Sequence, residues 1–448
     1  MKILPTRWRF GSLVVVAKLL LTLLSTSCSD DNNNPQPSPS PATSSYRADV
    51  AVSWLNMETR LARTTPQIPA NMLGRPFAYA SVAAYEAAVP GMAGYRSLGG
   101  QLNGLGALPT PDPNLVYNWA LSSNAALAAV NRRLFANAAP AALAAIDSLE
   151  AATETALRGS LGAEVSQRST DFGKQVAAAV LAWAATDGFD NTTSYTPPTG
   201  PGLWVSTPPA FAPAALANWR FNRPLVAGSG DGADPGQPTP YSTTPGSPFY
   251  AMVEEVKTIA QNRTPEQTAI ALFWNDAANG RNFTPLGHWA SILAQVLVRD
   301  NAALDKALVA NAKMSIAMTD ALISTMKTKY LYNVLRPVTY IRASMGQPDW
   351  LPLITTPAFP EYSSNHAALS AAAAQMLTDV FGPNYAFTDQ NYAQFGLGTR
   401  SYTSFEQAAT EAGLSRLYGG IHYRRSCEVG QAQGKQVAQN INTRLTWK

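Results

Sequence analysis

The sequence predicts an all-α fold, a large helical bundle crossed by one long Pro/Gly-rich loop, and three observations predict it. Apolar residues recur at three- and four-residue spacing in segment after segment. No stretch sustains the period-two alternation of a half-buried strand. Alanine is abundant, which favours helix and lets helices approach closely. At 448 residues the chain can bury a sizeable core. It is 46% hydrophobic and only 14% charged, against roughly 25% charged in typical soluble domains, so each buried charge is more informative than usual. The net charge of +4 is small and no Lys/Arg run occurs, which argues against a nucleic-acid partner.

Taken in order, the N-terminus reads as a targeting signal. Lys2, Arg7 and Arg9 give a basic start, and Ser12 to Leu24 is mostly apolar. That is about 13 residues, where a bilayer span needs about 20. "LLSTSCSDDNNN" follows and resembles a bacterial lipoprotein signal. Residues 1–28 are therefore expected to be a signal peptide ending at a lipidated Cys28, with a plain secretory signal as the alternative. Residues 29–45, rich in Asp, Asn, Pro and Ser, form a tether too polar to pack a core. Ser29-Asp30-Asp31 resembles the surface-export tethers of some Gram-negative lipoproteins. This implies an envelope protein, lipid-anchored at the outer membrane or cell surface. With Cys28 lipidated, Cys427 is the one remaining thiol, so no internal disulfide or cysteine metal site is expected.

Residues 46–448 read as a single helical domain. "SWLNMETRLARTT", "GRPFAYASVAAYEAAV", "VYNWALSSNAALAAVNRRLF" and "DFGKQVAAAVLAWAATDG" are helical in pattern. Asn191 to Ser247 interrupts them with "TPPTGPGLW", "STPPAFAP" and "GSGDGADPGQPTP", through which no long helix can run. A loop of this length is expected to be functional or mobile. Helix is expected again over residues 249–261, 265–278, 289–299, 302–335, 367–381, 405–418 and 423–445.

Three segments carry candidate chemistry. In "KYLYNVLRPVTYI", Lys329 and Arg336 lie seven residues apart, about 10.5 Å along one helix face. Pro337 disfavours helix at Arg336, placing its guanidinium at a helix end. In "FPEYSSNHAALSAA", Ser363 or Ser364 can cap a helix whose free first-turn amides face an anion. His366, one of only three histidines, stands beside them. In "SRLYGGIHYRR", Ser415 and Arg416 end one helix, Gly419-Gly420 break it, and His422 opens the next. Each segment alone also reads as ordinary structure: a solvated helix face, a capped helix, a helical turn. Together they supply two arginines, a lysine, a serine, a helix N-terminus and two histidines, a set that suits a tetrahedral oxyanion.

These motifs resemble the superfamily joining type-2 phosphatidic acid phosphatases to vanadium-dependent haloperoxidases, and its bacterial haloperoxidase-like members in particular. The KxxxxxxRP motif stands intact as Lys329 to Pro337, and SRxxxxxH as Ser415, Arg416 and His422. Where the family has PSGH this chain has Ser363-Ser364-Asn365-His366, and Ser426 stands where the family aspartate would orient the histidine. Glu361, Glu411 or another carboxylate would have to take that part. "ALFWNDAANGRNFTPLGHWASILAQ" extends the resemblance, and within it His288 and Trp289 are expected to pack, with cavity lining as the alternative.

The resemblance implies vanadate as cofactor, with phosphate able to occupy the same site. It implies His422 Nε2 as the ligand of vanadium, or the nucleophile toward phosphorus, and His366 as general acid–base. Lys329, Arg336, Arg416, Ser364 and the Asn365 amide would hold the oxyanion. Hydrogen peroxide and halide are then the substrates. The alternatives are an acid phosphatase acting on a phosphomonoester through phosphohistidine, and a lipoprotein that binds phosphate without turnover. No HExxH, GxSxG or P-loop is present, and three histidines without paired cysteines make a zinc site a poor reading.

Overall fold

Loop gives way to helix along this chain mostly where a hydroxyl or amide cap, or a proline, stops one backbone pattern and starts another. The computed structural model describes residues 40–65, 74–159, 161–277 and 282–448. The signal-peptide reading and the tether through residue 39 lie outside the described residues. The chain folds as α1 (Asp49–Thr64), α2 (Gly74–Glu86), α3 (Trp119–Leu134), α4 (Pro140–Arg158) and α5 (Ala163–Ala184). After the long loop come α6 (Pro248–Gln261), α7 (Pro265–Phe273), α8 (Pro285–Arg299), α9 (Leu304–Tyr332) and α10 (Pro337–Ser344). Then follow α11 (Asn365–Phe381), a hairpin of β1 (Phe387–Asp389) and β2 (Arg400–Tyr402), α12 (Phe405–Tyr418) and α13 (Arg424–Arg444). Ser247, Thr264 and Thr284 cap α6, α7 and α8, each followed by a proline at the first helical position, where its missing N–H costs nothing.

The fold is all-α apart from a hairpin of three-residue strands, with differences of detail from the sequence reading. The helix expected over 302–335 ends at Tyr332, because Asn333 takes a left-handed conformation (φ 50°) as its C-cap. Pro337 then starts α10 as a separate helix. The helix expected over 265–278 stops at Phe273. α4 was not anticipated; only Ala142 and Ile146 of its 19 residues are buried, which leaves a weak stripe in the sequence.

α9 is the axis of the molecule. Its 29 residues, about 43 Å of helix, are buried on nearly every side, and it touches α2 as well as α11 and α13. α11 is enclosed by α9, α12 and α13, and small residues make this possible. On α13, a Cβ at Gly430 would sit 2.7 Å from the Ser364 carbonyl oxygen, and one at Gly434 only 1.9 Å from that of Ala368. The helices can meet there only through glycine, and their contact brings the start of α11 to the start of α13.

The loop over 191–247 carries only a short 3-10 turn, Ala217–Phe221, and it braces the segments that hold the candidate site. Trp204 N donates to Asn333 O (2.7 Å) and Leu335 N to Gly202 O (3.0 Å). Ala215 N donates to Ala358 O (2.7 Å), and Tyr362 Oη to Gly236 O (3.2 Å). Buried Asp320 on α9 accepts the Leu225 and Val226 amides (2.7 and 3.0 Å). Among the described residues no helix is long and apolar enough to cross a membrane.

Candidate active site

The three segments meet where α9 ends and α11 and α13 begin. Arg336, extended just before Pro337 (φ −80°, ψ 153°) as a pre-proline residue should be, is fully buried. Its Nε donates to Phe359 O and its Nη1 to Ile421 O, both at 2.9 Å, and Nη1 also lies 3.1 Å from His422 Nε2. Its Nη2 is buried without a partner. Arg416, on the last turn of α12, donates from Nη1 to Trp274 O (2.8 Å), and its Nε is likewise unpartnered. Burial lowers both guanidiniums to about 10, so both remain charged at neutral pH.

His422 is held in one tautomer by a buried carboxylate. Its Nδ1 lies 2.8 Å from Glu361 Oε1, a carboxylate oxygen that can only accept, so the ring proton is on Nδ1 and the lone pair on Nε2. Burial, and then Arg336, Lys329 and Arg416, push the imidazole well below its ordinary value. The ring is therefore neutral. Glu361 also accepts from the Tyr423 amide (3.0 Å) and from the Ser426 hydroxyl (2.6 Å). Burial pushes its carboxyl upward, while Ser426, Arg336, Lys329 and the Tyr423 amide pull it back. The carboxylate missing at Ser426 is thus supplied by Glu361, and Ser426 is one of the groups that hold it. Glu411, the other carboxylate considered, is occupied elsewhere by Arg400, Trp274 and Tyr402.

Ser364 caps α11, and its Oγ is 3.5 Å from the Ala367 amide. The amides of Asn365 and His366 open the helix with no carbonyl four residues back to bond. The two departures in this motif find different settings. Ser363, in place of proline, donates its hydroxyl to Gln433 Oε1. Gln433 in turn donates to Ser324 (3.0 Å) and Thr328 (2.9 Å) on α9. Asn365, in place of glycine, touches Met326 Sδ through Nδ2 at 3.6 Å, and its Oδ1 is buried without a partner. Ser415 lies in α12 and bonds back to Ala412 O, so it serves its own helix.

Lys329 does something other than expected. Its Nζ donates to Pro360 O, Glu361 O and Ser363 O at 2.5–3.0 Å. All three ammonium protons are engaged by the segment leading into α11, leaving none for an anion. Burial and then Arg336 push its pKa well below the ordinary lysine value. Phe359 lies under both cations, its ring centroid 5.1 Å from Lys329 Nζ and 5.1 Å from Arg336 Cζ.

His366 follows on the first turn of α11. Its Nε2 has no hydrogen-bond partner and lies 3.6 Å from Asp276 Oδ2. Burial, then Arg416, depress it to about 4, with Asp276 pulling upward. His288 is buried as expected, but between carboxylates rather than apolar groups. Its Nδ1 is 2.7 Å from Asp276 Oδ1 and its Nε2 2.7 Å from Asp389 Oδ2. Burial opposes its charge, yet the two aspartates raise it to about 10. Trp289 packs in the core and donates to Ser370 Oγ (2.9 Å).

Sequence reading missed Asp276 and Asp389. Asp276 carried the signal of a rare charge inside an apolar segment; Asp389, 101 residues from His288, carried none.

Vanadate fits these residues. Two buried guanidinium nitrogens of the site, Arg336 Nη2 and Arg416 Nε, have no hydrogen-bond partner, and both are the kind of donor that binds anionic oxygens. Such groups are costly to leave unmet. A free helix N-terminus and one imidazole lone pair complete the set.

Comparison with known proteins agrees. A family model for the VCPO second helical-bundle domain matches residues 310–446, which hold Lys329, Arg336, His366, Arg416 and His422. No curated relative matches the chain. The apo and holo forms of a bacterial vanadium-dependent chloroperoxidase share the fold, each with a TM-score of 0.62 at 14% identity. They cover 85% of this chain, which covers 96% and 93% of theirs. The structure described as the first bacterial vanadium-dependent iodoperoxidase superposes with a TM-score of 0.82 at 34% identity, over 90% of this chain and 97% of that one. With the motifs, the neutral His422 and the unmet donors converging at one point, that likeness shows that this chain belongs to the vanadium-dependent haloperoxidase family.

Proposed function

We propose that this protein is a vanadate-dependent haloperoxidase that uses hydrogen peroxide to oxidise halide to hypohalous acid, with iodide the halide we assign. One observation carries the reading: Glu361 at Nδ1 leaves the His422 lone pair on Nε2, which faces Arg336 Nη1 at 3.1 Å beside guanidinium nitrogens that have no partner. Iodide rests on the likeness to the iodoperoxidase and on its being more easily oxidised than bromide or chloride. Cys28 and the residues around it support a lipid-anchored envelope location.

The residues divide the work. His422 Nε2 is the metal ligand, and Glu361 keeps its proton on the far nitrogen and raises its basicity. Arg336 Nη2 and Arg416 Nε donate to the oxyanion, as do the Ser364 hydroxyl and the amides at the start of α11. Lys329 holds the backbone from Pro360 to Ser363 in place. It contributes charge at short range, and positions the anion site rather than binding in it. Bound vanadate supplies a Lewis-acidic centre that activates peroxide oxygen toward halide. His366, neutral near pH 7, is available to take a proton from peroxide and to return one to the departing oxygen.

The test is to load the purified protein with vanadate and measure peroxide-dependent iodide and bromide oxidation beside phosphomonoester hydrolysis by the vanadate-free protein. Vanadate-dependent iodide oxidation is expected. Hydrolysis without halide oxidation would instead assign a phosphatase, and neither activity a phosphate-binding protein.

A further inference from the structure

His288 has no place in the anion pocket, yet its setting is more specific than packing requires. It is fully buried in the first turn of α8 and stacked on Trp274, centroid to centroid 4.2 Å, at 17°. A buried neutral histidine needs an acceptor for one nitrogen and a donor for the other; this one has a carboxylate on each. Two acceptor-only groups at 2.7 Å are both satisfied only by an imidazolium, which donates from both nitrogens.

The consequence falls on Asp276. Its Oδ1 is taken by His288 and by the Tyr392 hydroxyl (3.0 Å). Its Oδ2 is therefore the oxygen left for His366 Nε2, 3.6 Å away. Asp389 closes the other end and is itself tied down by the Asn391 amide (2.8 Å). We propose that His288, clamped between Asp276 and Asp389, is a positioning residue that keeps Asp276 ionised and aimed at His366 Nε2. It thereby fixes Nδ1 as the nitrogen of His366 that accepts a proton.

Asp276 is fully buried, and a buried carboxylate with no cation beside it would take up a proton. His288 leaves the triad with one net negative charge, and Asp276 is its end nearest His366. The other charged or titratable groups facing His366 are Arg416 from α12 and His422 before α13. A carboxylate that holds a catalytic imidazole in one tautomer is worth orders of magnitude in rate elsewhere. The proposal rests on the reading of His366 as the proton carrier.

Because the chain has three histidines, ring ¹⁵N NMR of the vanadate-free protein can observe each. At pH 7 the expected spectrum shows His288 protonated on both nitrogens, His366 neutral with its proton on Nε2, and His422 neutral with its proton on Nδ1. His288→Gln should abolish the Nε2–H preference of His366 and leave the His422 signal unchanged, which reports an intact fold. Asp389→Asn should weaken the same preference. With vanadate, His288→Gln should oxidise iodide roughly 10–100-fold more slowly. It should cost less than about twofold further in an Asp276→Asn background, since both act through one carboxylate.

A neutral His288 in the wild-type protein would overturn the proposal, and that measurement needs no variant to fold. So would an unchanged His366 tautomer in a folded His288→Gln or Asp389→Asn protein, or additive losses in the double variant. The spectra are independent of turnover. An inactive protein with the expected spectra rejects the haloperoxidase reading alone, and an active one without them rejects only this inference.

Discussion

Glu361 Oε1 lies 2.8 Å from Nδ1 of His422, across 61 residues of sequence. The carboxylate that orients His422 therefore comes from the segment before α11, not from α13, where the family motif places it. Ser426 keeps a part in the arrangement, donating its hydroxyl to Glu361 Oε2 (2.6 Å) and accepting at its carbonyl from the Ser364 amide (3.0 Å). The exchange preserves the charge and moves it to another element. Glu361→Gln should lower vanadate-dependent iodide turnover roughly 10–100-fold, as read from steady-state rates at saturating vanadate. It should leave Arg336 and Lys329 where they are.

Lys329 is predicted to matter for stability as much as for the anion. Lys329→Met would leave three buried carbonyls without a donor. Each unmet group costs about 1–3 kcal/mol, so a loss of about 3 kcal/mol or more is expected in urea unfolding. Activity should fall with it, because the segment from Pro360 to Ser363 carries Glu361 and the cap of α11.

Gly434 tests the α11–α13 contact in the same way. A Cβ there would meet the Ala368 carbonyl oxygen at 1.9 Å, so Gly434→Ala must push the helices apart. A stability loss of roughly 1–3 kcal/mol is expected. Vanadate affinity should drop as well, since the shift separates His422, at the head of α13, from the start of α11. Equilibrium unfolding and vanadate titration together check this.

Two histidines give stability opposite pH dependences. His366 is held at about 4 in the folded chain against about 6.5 unfolded, so the folded state binds fewer protons between those values. Its contribution is present above pH 6.5 and is lost as pH falls toward 4. His288 is held at about 10, so its contribution is full below pH 6.5 and is lost as pH rises through 10. Urea midpoints measured from pH 4 to 10 should fall at both ends, and the alkaline fall should flatten in His288→Gln.

How much of this was legible beforehand follows from what kind of signal each feature leaves. Long helices with a wide apolar stripe, such as α3, α5 and α13, were readable from spacing alone. α4 was not, since it buries so little, and the break at Asn333 depends on one left-handed residue. That Arg336, His366, Arg416 and His422 come together was legible because they fall in short motifs whose internal spacing survives in the sequence. The groups that tune them were harder to see. Glu361 could be considered only as one carboxylate among several, and Asp276 and Asp389 reach His288 through tertiary packing. Lys329 shows the limit from the other side: its position was legible, but the three carbonyls that engage it belong to a segment 31 to 34 residues away.

The most direct test of the account is equilibrium binding of vanadate to the wild-type protein and to His422→Ala. Saturable binding to the wild type is expected, and loss of most of that affinity, with all iodide oxidation, in the variant. Its anion donors should still bind phosphate weakly. Wild-type vanadate affinity in a folded His422→Ala protein would contradict it, because the lone pair that Glu361 directs into the site would then not be what holds the metal.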